Sequence, residues 1–111
     1  MPIIDQREIA FDAPALIRLI AGSLQRAQTL GLPAARPISI DFNPQEHQIR
    51  VAYETHAAVS VTSERLGALL VSYCIRARIP VARLADKDIR IEASAVILIF
   101  TTRLADPPAT W

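Results

Sequence analysis

The 111-residue chain is 51% hydrophobic, 21% charged and 5% aromatic, with twelve basic against eleven acidic residues. That size and apolar content fit one domain with a substantial core and exclude a disordered chain. A net charge near +1 gathers neither nucleic acid nor anionic membrane, the single Cys74 excludes a disulfide framework or Cys-rich zinc site, and three glycines leave no phosphate cradle.

The N-terminal stretch carries Asp5, Arg7 and Glu8 where a signal peptide needs an apolar run, and the longest apolar run, Ala95 to Phe100, is far too short to span a membrane. A cytoplasmic protein is expected. Eleven Arg to one Lys and eighteen Ala point to a GC-rich, bacterial genome. Ile9-Ala10-Phe11 is open to forming a strand ahead of the first helix.

Asp12-Ala13-Pro14 is a helix start: a capping carboxylate, then a proline in the first turn, where its missing N–H costs nothing. Leu16, Ile17, Ile20, Leu24 and Ala27 follow at helical spacing and fill an arc of about 160°. Gly31 and Pro33 end the helix. Ile38 to Phe42 and Ile49 to Glu54 then alternate as strands around the turn Asn43-Pro44-Gln45-Glu46. The apolar residues are even-numbered in one strand and odd-numbered in the other. A shared face therefore requires a loop of four or six residues, and sets Asp41 opposite or diagonal to Arg50.

Thr62 caps a second predicted helix, with Glu64 in its first turn, ending near Arg78 ahead of Pro80. Arg65, Ser72 and Arg76 form a narrow polar ridge, and apolar residues fill about 240° of the remainder. Such a helix needs cover on more than one side. Ile89 to Glu92 alternates, and Ala95 to Phe100 is continuously apolar. A hairpin closed at Glu92 and Ala95 sets Ile91 against Val96 and Ile89 against Leu98, leaving Ile97 and Ile99 on the opposite face beside Arg90 and Asp88.

The expected fold is α+β: a two-layer sandwich of four antiparallel strands, with Ile9–Phe11 as a candidate fifth, and two helices on one face, in the order (β)αββαββ. Residues 1–104 form the domain and 105–111 an extended tail. Leu32-Pro33-Ala34-Ala35-Arg36 and Ile79-Pro80-Val81-Ala82-Arg83 stand forty-seven residues apart, which suggests a duplicated αββ unit.

No residue pattern spells out catalysis. His47 and His56 are nine apart in loops without partners at metal-ligand spacing, so no metal is expected. Cys74 lies on the apolar side of its helix, where burial raises a thiol's pKa. Asp86 and Asp88 flank Lys87 as a polar turn, and no Gly-x-Ser-x-Gly elbow is present. No cofactor is expected. Arg76, Arg78, Arg83, Lys87 and Arg90 form a weak basic patch, lacking the aromatic platforms that accompany single-stranded nucleic acid binding.

Asn43-Pro44 ahead of an alternating strand, a β-like stretch from Ala57 to Val61, a helix and Ile79-Pro80-Val81 together resemble the cytoplasmic domain of the flagellar and type III export switch proteins. That resemblance covers about forty residues. It implies self-cleavage with Asn43 as the cyclising residue and Pro44 as the new N-terminus. The chain departs from the family at Gln45-Glu46, where Thr-His follows the Asn-Pro pair.

The predicted sheet buries Ile38, Ile40, Phe42, Ile49, Val51, Tyr53, Ile89, Ile91, Val96, Leu98 and Phe100 against the helices. Ile97 and Ile99 behind the sheet, with Val71 and Ile75 on the second helix, remain to be covered. A homodimer is the expected cover, because symmetric self-association is the commonest way to hide such surface. Ile3, Ile4, Ile9 and Phe11, or the tail with Trp111, are the intramolecular alternative. The expected function is a non-enzymatic interaction or regulatory module, with another protein partner also open. The alternative is a small-molecule binder or enzyme with a pocket between sheet and helices, marked by a cavity lined by Tyr53 or Tyr73.

Overall fold

The computed structural model describes residues 3–80 and 85–104; Arg83 and the predicted tail 105–111 lie outside them. In chain order the elements are β1 (Ile3–Asp12), α1 (Ala13–Ala21), α2 (Leu24–Thr29), β2 (Ser39–Asn43), β3 (Gln48–Ala52), β4 (Val59–Thr62), α3 (Ser63–Arg76), β5 (Asp86–Ile91) and β6 (Ala95–Leu104). The class is α+β, but the expected single four-stranded sheet is replaced by two antiparallel sheets of three strands, ordered β1-β6-β5 and β2-β3-β4. The two hairpins do not pair with each other. Each takes a third strand from the other half of the chain, β1 joining β6 and β4 joining β3. These two added strands hide their period: residues 3–8 of β1 are all exposed, so no apolar alternation marks them, and β4 is only four residues long.

Hairpin registers follow the parity of the sequence. Asn43 pairs with Gln48 across a four-residue loop, which brings Asp41 opposite Arg50. Ile91 pairs with Val96 and Ile89 with Leu98. The inward residues of both sheets join Leu16, Leu19, Ile20, Ala27, Leu66, Leu69, Leu70 and Cys74 in one core. Ile38 departs from expectation. It lies just before β2, beyond the rim of the core, and is 59% exposed although its N–H still bonds the Ala52 carbonyl.

The chain repeats a strand–helix–strand–strand unit, one strand longer than the αββ unit expected. The helix starts match fifty residues apart: the N-caps Asp12 and Thr62 precede the buried pairs Leu16 and Leu66, Leu19 and Leu69, and Ile20 and Leu70. The helix ends match forty-seven residues apart. Leu32 N–H bonds Ala27 O at 3.1 Å and Gly31 N–H bonds Gln28 O at 3.0 Å; Ile79 N–H bonds Cys74 O at 2.9 Å and Arg78 N–H bonds Ile75 O at 3.2 Å. Both are Schellman closures with a left-handed residue, Gly31 (φ 82°) or Arg78 (φ 57°). Ile49, Val51 and Tyr53 match Val96, Leu98 and Phe100 at the same forty-seven. The first unit therefore holds three extra residues in its helical segment. They fall where Gly22 and Ser23 split the predicted first helix into α1 and α2.

Candidate interaction surface

Ile97 and Ile99 point away from the core, as the parity of β6 requires, but they do not stand in water. They are 7% and 8% exposed. In the register, Ile97 lies between Ala10 and Arg90, and Ile99 between Glu8 and Asp88. Arg90 Nη1 reaches Glu8 Oε1 at 3.3 Å, and Nη2 reaches Glu92 Oε1 at 3.3 Å. The Glu8–Arg90 pair joins the two outer strands diagonally over β6, on the face that carries both isoleucines, with its charged ends about half exposed. Much of the surface expected to need a partner is thus already buried within the single chain.

The uncovered surface is on α3. Leu66, Leu69, Leu70 and Cys74 fill the buried side. On the other side Glu64 and Ala68 are exposed, Val71 is half-buried, and Ile75 is 67% exposed. Advancing 100° per residue keeps these four within a stripe about 60° wide. Beside the stripe, α3 and β5 leave a groove of about 420 Å³ lined by Gly67, Ala68 and Val71 over Ile89 and Leu98, with Glu64, Lys87 and Asp88 at its rim. Gly67 opens it: at the matching position α1 has Ile17, which packs onto the core. Sequence reading missed this residue. The signal was present in the two helices aligned cap to cap.

The open edge of β5 is partly closed to strand addition. Glu92 N–H bonds Ala95 O at 2.8 Å, so alternation turns the polar groups of Arg90 and Asp88 toward β6 and those of Lys87, Ile89 and Ile91 outward. Asp88 Oδ1 accepts the Ile89 N–H at 2.8 Å. An incoming strand would have to displace that carboxylate.

The expected basic residues are spread over several elements. Arg76 Nη2 donates to Ser23 Oγ at 2.6 Å, Arg78 is exposed past α3, Lys87 Nζ donates to Ala85 O at 3.2 Å, and Arg90 is engaged by Glu8 and Glu92. His47 sits in the β2–β3 turn at φ 52°, and His56 is exposed with its Nδ1 at 3.2 Å from Thr55 Oγ1. Among the described residues no three metal-ligating side chains cluster. Burial raises the Cys74 thiol pKa, with the Arg7 charge acting the other way, so the thiol is held protonated. Asn43 Oδ1 accepts the Glu46 N–H at 3.1 Å, which ties its carboxamide into the turn.

Two tyrosines complete the inventory. Tyr53 is 7% exposed, its hydroxyl has no hydrogen-bond partner among the described residues, and desolvation raises its pKa. Tyr73 packs edge-on against Phe11 and lines a second cavity of about 460 Å³ with Ile9, Arg18, Leu19 and Ile79. Among the described residues no helix is long and apolar enough to cross a membrane. Comparison with known protein families, curated proteins and solved structures finds no match to this chain.

Proposed function

We infer that the chain is a small non-enzymatic interaction module that acts as a homodimer, with α3 as its contact surface. The observation that carries this is Ile75, a large aliphatic residue left 67% exposed at the end of the Ala68–Val71 stripe and beside an apolar groove. Burying that side chain recovers about 1.5–3 kcal/mol, twice over in a symmetric pair. Ile97 and Ile99, already covered, have less to gain, and Asp88 hinders pairing through the β5 edge. Sedimentation of the full chain across a wide concentration range tests the reading. A concentration-dependent dimer supports it, and a monomer throughout overturns it.

The cavity at Tyr73 favours a second reading as a small-molecule binder. Its size is that of ligand pockets, its lining is mostly apolar, and Arg18 offers a cation suited to an amphipathic carboxylate. Titration calorimetry with decanoate tests this. Saturable heat that disappears in Arg18→Glu supports it, and the absence of saturable heat removes it.

A further inference from the structure

We propose that two copies of α3 pair antiparallel about a twofold axis at Val71, each Ile75 entering the groove beside Gly67 of the other copy. This rests on the homodimer reading above and specifies the face and the register.

Register arithmetic supports the pairing. In an antiparallel pair centred on Val71, a residue four positions further along is level with one four positions before it. Ile75 is thus level with Gly67 of the second copy. Arg78, two residues past the end of α3, comes to the end of the second copy's helix that carries Glu64. The axis produces both meetings twice, so each projecting isoleucine faces a gap and each exposed acid faces an exposed base. Any register shifted along the helix loses both matches.

Both halves of the fit are peculiar to the second unit. The gap exists because Gly67 stands where α1 has Ile17, and the projection exists because Ile75 stands where α2 has Gln28. The first unit has a filled surface and a polar side chain at those positions. Small Gly67 and Ala68 also let a second helix approach closely. The groove holds about 420 Å³, more than an isoleucine side chain occupies.

The closing experiment measures sedimentation equilibrium and thermal melting on the full chain. Gly67→Ile fills the groove with the side chain found in α1. Its added Cβ would meet Ile89 Cγ1 at 3.6 Å, an ordinary contact, the rest of the side chain takes groove space, and thermal melting checks that the fold is retained. The dimer should weaken about a hundredfold, as should Ile75→Asp. Glu64→Arg and Arg78→Glu should each weaken it, and the double swap should return it to within about twofold of wild type. A wild-type dimer indifferent to the fill and to Ile75→Asp, or swaps that fail to restore one another, overturn the register and leave the homodimer standing. A wild-type monomer at every concentration removes both.

Discussion

Glu8 and Arg90 meet at 3.3 Å over the outer face of β6, one from each flanking strand, with Ile97 and Ile99 beneath. Both charged groups are about half exposed, so the pair's Coulombic contribution is small and screened by salt. Its position over the isoleucines predicts a second effect, in which the aliphatic stems shade them from water. Arg90→Ala should therefore lower the thermal midpoint only slightly, yet raise binding of a hydrophobic dye. Arg90→Met, which keeps apolar bulk without charge, should restore low dye binding. Equal dye binding in wild type and Arg90→Ala would remove the covering role.

Tyr53, just past the end of β3, and Phe100, within β6, occupy the same position in the two units, β3 and β6 being the central strands of their sheets. Phe100 fills it with an apolar ring, whereas Tyr53 adds a buried hydroxyl without a partner among the described residues. An orphaned hydroxyl carries an uncompensated desolvation cost. Tyr53→Phe should accordingly stabilise the chain by about 1 kcal/mol in urea unfolding. Destabilisation by a similar amount would show that the hydroxyl has an unseen role, and would strengthen the ligand-binding reading.

The hairpins were legible in the sequence because one buried face forces a parity, and parity fixes register. Asp41 opposite Arg50 and Ile91 opposite Val96 follow from that alone. The partition into two sheets was not legible. Strand period reports burial, and β1 has too little buried surface in its first six residues to show one. The break between α1 and α2 was hidden because a single glycine in a helix costs only about 1 kcal/mol, too little to distinguish a kink from continuity. Val71 and Ile75 were visible because their helix has more apolar arc than one sheet can cover. Gly67 was not, because a missing side chain leaves no mark in a hydrophobic pattern.

Alkaline pH should destabilise the chain through Cys74 and Tyr53. Burial raises both pKa values, so above the ordinary thiol and phenol values the unfolded chain gives up protons that the folded chain keeps. The unfolded state then binds fewer protons, and stability falls as pH rises, first with the thiol and then with the phenol. Below both ordinary values the contribution is constant. Urea midpoints from pH 7 to 11 should decline, and a Cys74→Ala, Tyr53→Phe double variant should decline less steeply, whatever its stability at pH 7. Parallel slopes in the two proteins would contradict the assignment.

Gly31 and Arg78 close the two helical segments with the same left-handed geometry, one with a residue suited to it and one without. Among the described residues no heavy atom lies within 4 Å of a Cβ built on Gly31, so Gly31→Ala isolates backbone strain and should cost about 1 kcal/mol. Arg78→Gly relieves the corresponding strain and should stabilise the single subunit by up to about 1 kcal/mol, less the added freedom of the unfolded chain. The same change removes the cation set opposite Glu64 in the proposed pair. Subunit stability and dimer affinity should therefore move in opposite directions, with Tm measured at low concentration rising and association weakening. Such a split would show that an arginine is kept at a strained position for what it meets outside its own subunit.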